Sequence, residues 1–438
     1  MNPIIKDDLQ AMREAYLSDG KARVVRNALT NNDVTTISRV FEAKSANPNL
    51  FSINLKTMGA VNQKKSGRCW IFSALNILRE KIAAKYDMKE FELSQNYIAF
   101  YDKLEKTNYF LEVLIAEKDS PLDSPVNRYL LHTGVHDGGQ WHMFTSVVKK
   151  YGLCPKSAMP ETYQSSNTRG MNGILNHRLK KFAADIRSHE EREIPALKKQ
   201  ALKECYGVLC SCFGVPPVSF TFEYEDKDGN YHAEYDVKPL DFLKNSLDMN
   251  LDDYVAIING PTADKPFNHM YTVQYLGNVA DGEPVRFLNL DIDAFKKLIL
   301  AQLEDGEPVW FGCDCGKAGD RENGLWDDQA FDYEGTFDLD LSMTKAEMLD
   351  TGLSAMNHAM VFTGVNLREG RPDRWKIENS WGTDVANKGY FICSDSWFDR
   401  YMYEATVNIK YLSEEQKAAL QEEPKVLAPW DPFGSLAD

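Results

Sequence analysis

Two stretches of this chain carry residue types at the spacing of an acyl-transfer centre. Gln63-Lys64-Lys65-Ser66-Gly67-Arg68-Cys69-Trp70 sets a carboxamide donor six positions ahead of a cysteine, with a glycine turn between them. Thiolate is the reactive form of cysteine, and a helix N-terminus together with an adjacent imidazolium lowers a thiol pKa. The Gln63 amide and the Cys69 backbone N–H then converge on the oxygen of a tetrahedral intermediate. Far downstream, Ser354-Ala355-Met356-Asn357-His358-Ala359-Met360-Val361 puts a histidine at the entry to an apolar strand, and Asn379-Ser380-Trp381-Gly382 follows the next strand. If the two strands are neighbours, His358 takes the thiol proton and returns it to a leaving amine. Asn379 holds the imidazole through its side-chain oxygen, and Trp381 shields that bond from water. Taken singly, such a cysteine is a small hydrophobe, such a histidine a structural residue and Asn-Ser a turn signal. Together they point to chemistry.

Those residues must be positioned by elements that the pattern also suggests. In CWIFSALNILREKIAAKYD, Ile71, Leu75, Leu78 and Ile82 fall at spacings of four, three and four, the stripe of an amphipathic helix that starts at or near Cys69. Residues 1–58 hold helical patterns, such as Leu9, Met12 and Tyr16, and end in an extended run from Phe51 to Met58. Residues 59–217 are helix-rich, with a helix over Ser94 to Leu104 and a charge-rich helix pair from Leu175 to Tyr206. Residues 218–411 are sheet-rich. They open on a hairpin turning through Asp228-Gly229-Asn230 and continue with strands at Met270 to Leu276, Val285 to Leu290, Val309 to Cys313, Ala359 to Val365, Arg374 to Glu378, Gly389 to Cys393 and Glu404 to Ile409. Residues 412–438 form a short helix and a tail whose Val426, Leu427, Trp430, Phe433 and Leu436 favour docking over exposure to water. A helical half followed by a sheet half is an α+β protein with a cleft between layers.

Composition narrows the classes. The 438 residues carry 50 basic and 65 acidic side chains, a formal charge of −15, which disfavours nucleic acid and anionic lipid as partners. The first thirty residues lack the apolar core of a signal peptide and no stretch approaches a membrane span, so the expected compartment is the cytoplasm. Eight cysteines at this length mark no disulfide framework. The spacings of Cys205, Cys210 and Cys212, and of Cys313 and Cys315, miss the paired knuckles of a zinc site. The acidic run Asp327, Asp328, Asp332, Glu334, Asp338 and Asp340 lacks an EF-hand spacing.

The Gln63 to Trp70 block, His358 in NHAMVFTGV and Asn379 in WKIENSWG resemble the papain superfamily, in particular its bleomycin hydrolase and aminopeptidase C branch. DGGQWHMF (Asp137 to Phe144), NGPTADKPF (Asn259 to Phe267), DGEPVWFGCDCGK (Asp305 to Lys317) and the tail APWDPFGSLAD extend the similarity over nearly the whole chain. The resemblance implies a papain-like fold, with a helical half and an antiparallel, barrel-like half around an active-site cleft, plus helical insertions and a C-terminal arm. It also implies no metal or organic cofactor, homohexameric rings whose sites face an inner chamber, peptides with a free N-terminus as substrates, and bleomycin-hydrolase-type activity as a possibility. In such proteins the arm fills the non-primed side of the cleft and acts as a ruler. That role falls here on Gly434 to Asp438, with Ala437 and Asp438 at the substrate and the chain-terminal carboxylate facing its ammonium. Arms of this type end in GSLA or GALA, so Asp438 either lengthens the reach or is trimmed.

Gly138 and Gly139 are candidate partners for a substrate backbone, because glycine permits close approach, and a plain turn is the competing account. Trp381, Gln140 and Trp141 are candidates for the same cleft, whereas His142 stands where the family often has Asp. An acyltransferase or endopeptidase of the same chemistry, and a non-catalytic binding protein, remain the alternatives.

Overall fold

A computed structural model describes residues 1–435, so Leu436 and the two expected arm residues Ala437 and Asp438 lie outside the described part of the chain. The layers are those of an α+β protein of papain-like architecture. Eleven strands lie side by side in the order Lys425–Leu427, His269–Val273, Phe287–Asn289, Tyr254–Ile258, Met402–Asn408, Val309–Cys313, His358–Arg368, Arg371–Glu378, Tyr390–Ser394, Leu325–Trp326 and Gly319–Asp320, and Ile53–Asn54 adds to His358–Arg368. Most pairings are antiparallel; the three parallel ones involve short strands at Lys425–Leu427, Phe287–Asn289 and Leu325–Trp326. One apolar core fills the space between the sheet and the helices, another covers the sheet's opposite face, and a third lies within the helical insertion.

The helix Cys69–Lys85 is the centre of this arrangement. A stripe at Ile71, Leu75, Leu78 and Ile82 leads one to expect a helix buried on one face, but in the structure all but four of its 17 residues are buried. The difference lies in its polar residues. Ser73 donates to the Ala359 carbonyl at 2.9 Å, Asn76 to Glu378 at 2.8 Å, and Arg79 pairs with Glu378 at 3.0 Å. Each of these three side chains finds a partner inside, so the helix sinks between the layers with its Arg79 charge paired.

The helix expected at Ser94 to Leu104 runs on to Ala116, and the charge-rich pair is Arg169–Ser188 and Ile194–Phe213. The hairpin is Phe220–Glu225 and Tyr231–Val237. Tyr254–Ile258 and the helix Ile292–Glu304 were not anticipated, the strand because five consecutive apolar or aromatic residues carry no alternation. The first two helices, Lys6–Ser18 and Gly20–Leu29, bury no residue. The tail docks through Leu427 and Phe433; Val426 stays exposed because the short strand Lys425–Leu427 turns alternate side chains outward, and Trp430, in the turn beyond it, is exposed as well.

Replacing Arg79 by Met strands the Glu378 carboxylate in the interior. Unfolding in denaturant should show a loss of about 3 kcal/mol, part of which returns in Arg79→Met/Glu378→Gln.

Candidate active site

Cys69 is the first residue of its helix, with no side chain capping the N-terminus, so the unpaired N–H groups of the first turn lie close to the thiol. Cys69 is 1% exposed, and its sulfur accepts the backbone N–H of Ala359 at 3.3 Å. His358, the neighbour of Ala359, opens the strand that crosses this helix. Its Nε2 meets Asn379 Oδ1 at 2.8 Å, leaving Nδ1 for the thiol side, and its ring stacks on Trp381 with centroids 5.1 Å apart and planes inclined by 29°. Asn379 directly follows the neighbouring strand Arg371–Glu378, and its Oδ1 also accepts the Ser380 N–H at 2.8 Å, which fixes the amide oxygen toward the imidazole.

Gln63 is held on the same side. Its backbone N–H donates to the Ser380 carbonyl at 2.9 Å, Ser380 Oγ donates to its Oε1, and its Nε2 donates to the Ser66 carbonyl at 2.6 Å. One amide hydrogen thus remains for an incoming oxygen. The fold therefore brings Cys69, His358, Asn379, Gln63 and Trp381 together. Gly138 and Gly139 lie beside them: a Cβ on Gly139 would come within 2.5 Å of the Trp70 ring, so only glycine fits there.

The structure adds residues that the sequence did not single out. Asp137 accepts Gly67 N–H at 2.9 Å, Asn172 Nδ2 at 2.8 Å and the Thr168 hydroxyl, pairs with Lys103 at 2.7 Å, and gives its carbonyl to Trp70 Nε1 at 2.7 Å. Lys106, paired with Asp102 at 2.7 Å, donates to the Gly138 carbonyl at 2.6 Å. These bonds tie the Gln63–Cys69 loop to the glycine wall. The DGG motif named the position, but nothing in it revealed which lysines would complete it.

The arm reaches this site from the opposite edge. Lys265 pairs with Asp431 at 2.9 Å, Phe433 packs so closely on Gly260 that a Cβ there would sit 2.6 Å from its ring, and Ser435 Oγ donates to the Met356 carbonyl at 2.8 Å, two residues before His358. The Gln140 amide lies between the Ser435 carbonyl and the buried Glu404 carboxyl, to which its nitrogen donates, and burial raises the Glu404 pKa well above its ordinary value.

Burial dominates the electrostatics. It pushes the Cys69 thiol up to about 12, against the donated Ala359 N–H, and pushes His358 down to about 4, against its bond to Asn379. The closed site thus favours a neutral thiol beside a neutral imidazole, poised for internal proton transfer. The unfolded chain protonates His358 near pH 6.5 while the folded chain resists until about 4. Between those values the unfolded state binds the extra proton, so folding stability falls as the pH falls. In His358→Gln this contribution, on the order of 3 kcal/mol, should vanish, and a denaturation series from pH 7 to 4 should be correspondingly flatter.

The chain matches the Peptidase C1-like family over residues 3–434. It is 46% identical over 422 residues to aminopeptidase C of Lactobacillus delbrueckii subsp. lactis, with 94% of each chain covered. It is 43% identical to bleomycin hydrolase of Mus musculus over 390 residues, 86% of each. The crystal structure of PepW from Lactobacillus rhamnosis HN001 superposes with a TM-score of 0.97 at 46% identity, covering 99% of both chains. With a buried thiol at a helix start, an imidazole held by an amide and a family match spanning nearly every residue, this chain belongs to the Peptidase C1-like family, in its bleomycin hydrolase and aminopeptidase C branch.

Proposed function

We propose that this chain is a cysteine aminopeptidase that releases N-terminal residues from peptides through a thioester intermediate. The observation that carries the reading is the meeting of Cys69 with the His358–Ala359 strand start, while Asn379 and Gln63 are held by bonds that leave Nδ1 of the imidazole and one amide hydrogen of Gln63 facing the thiol side.

His358 Nδ1 takes the Cys69 proton as the sulfur attacks the scissile carbonyl carbon. The negative oxygen that results accepts the Cys69 backbone N–H and the Gln63 amide. The tetrahedral centre collapses, the C–N bond breaks, and His358 gives its proton to the departing amine, leaving the acyl group on Cys69 as a thioester. A water then gives a proton to His358 and its oxygen to the carbonyl. The C–S bond breaks, the proton returns to sulfur and the N-terminal residue leaves as an acid. Asn379 keeps the imidazole oriented throughout, and Trp381 keeps water from the His358–Asn379 bond.

The choice of free N-termini is assigned to the arm. Ser435 of that arm is anchored at the Met356 carbonyl, two residues before His358. Gly138 and Gly139 are assigned to the substrate backbone. Broad tolerance for the first side chain, hydrolysis of bleomycin, a cytoplasmic location and a homohexamer belong to the same proposal and rest on the family. Among the described residues no helix is long and apolar enough to cross a membrane.

Aminoacyl and N-acetylated reporters of the same peptide test this reading. The free amine should be cleaved about 10- to 100-fold faster, the value of a desolvated charge pair, and Cys69→Ala should abolish both reactions. Truncation after Asp431 should raise cleavage of the acetylated peptide; equal rates for free and blocked peptides in the intact chain would contradict the role of the arm. Mass photometry should report a particle six times the 49.8 kDa chain.

A further inference from the structure

Trp381 packs against two groups. One side of its indole stacks on His358 at 5.1 Å, and the guanidinium of Arg321 lies over the ring with its carbon 4.8 Å from the centroid. The indole is itself fixed by Phe391, edge-on at 5.5 Å, and by Trp326 at 5.9 Å, so the stack has a rigid base. Arg321 sits in the exposed turn between Gly319–Asp320 and Leu325–Trp326.

The carboxylates beside it are already taken. Arg39 pairs with Asp320 at 3.5 Å and with Glu322 at 2.8 Å, and Asp320 also accepts Asn323 Nδ2 at 2.6 Å. Among the described residues Arg321 has no carboxylate partner, and its charge is felt by both His358 and Cys315. A planar cation stacked on an indole, with its N–H groups free, is the fork that a carboxylate binds.

The position has a meaning in the reaction. His358 hands its proton to the departing amine, so the part of the peptide beyond the scissile bond leaves past His358 and Trp381. The guanidinium is within about 10 Å of the imidazole, the length of two or three extended residues. We propose that Arg321, supported on Trp381, forms a carboxylate-binding subsite for the leaving portion of the substrate, favouring short peptides whose free C-terminus lies two or three residues past the bond cut. This rests on the aminopeptidase reading for the direction in which the substrate lies.

The test measures binding with turnover blocked. Cys69→Ala protein and Cys69→Ala/Arg321→Gln protein are titrated by calorimetry with trialanine as the free acid, with trialanine C-terminal amide, and with Ala-Ala-Glu amide, which offers a side-chain carboxylate instead. The free acid should bind the Arg321 protein about three- to tenfold more tightly than the amide, with the ratio falling at high salt and reaching one in Arg321→Gln. Ala-Ala-Glu amide binding as tightly as the acid would assign the subsite to acidic side chains as well as C-termini. A ratio of one with Arg321 in place, or a ratio that survives Arg321→Gln, would overturn the proposal. Incubating Cys69-intact protein with the same peptides separates the two readings: no released alanine alongside an intact binding ratio would reject the aminopeptidase and leave the subsite standing.

Discussion

The bond from the Ala359 N–H to the Cys69 sulfur joins two residues 290 positions apart, and the rest of the site depends on the register it records. Ser73, Asn76 and Arg79, one helical turn apart, each bond to the strands that carry His358 and Asn379. A helix held only by apolar packing can slide or rotate by part of a turn at modest cost, whereas one held by buried polar bonds cannot move without leaving donors unpaired. The seam that stabilises the layers is therefore also what fixes the thiol relative to the imidazole.

Around that seam the fold uses buried charge to hold loops. Asp137 with Lys103, Lys106 with Asp102, and Lys265 with Asp431 each anchor a segment without regular structure: the Gln63–Cys69 loop, the glycine wall and the C-terminal arm. Such pairs add little net stability over apolar packing but permit one geometry and penalise others. Burial works in the opposite direction on Cys69 and His358, where it disfavours charge on both, against the Ala359 N–H donated to the thiol and the bond from Asn379 to the imidazole.

The sequence was informative where function is concentrated in short stretches. Gln63 to Cys69 lie on one loop and helix start, His358 and Asn379 each at or beside one end of a strand, so residue type and spacing sufficed to pick out candidates that the fold then brings together. It was silent where function depends on pairs from distant parts of the chain. Arg79, Lys103 and Lys265 look like ordinary surface charges until the fold supplies Glu378, Asp137 and Asp431, and for the same reason the central helix read as one-sided when it is buried all round. The tail shows the limit of composition: five apolar residues argued for docking, and of the four described, Leu427 and Phe433 carry it while Val426 and Trp430 face outward.

The central claim is that one of eight thiols, Cys69, is activated by His358. Its most direct test is the rate at which each cysteine is alkylated by iodoacetamide, read by peptide mapping in the native protein and in His358→Gln. Cys69 should react far ahead of the other seven, activity should disappear in step with its alkylation, and His358→Gln should slow that reaction alone. Alkylation of Cys69 at the pace of the remaining thiols, or activity that survives its complete modification, would contradict the account.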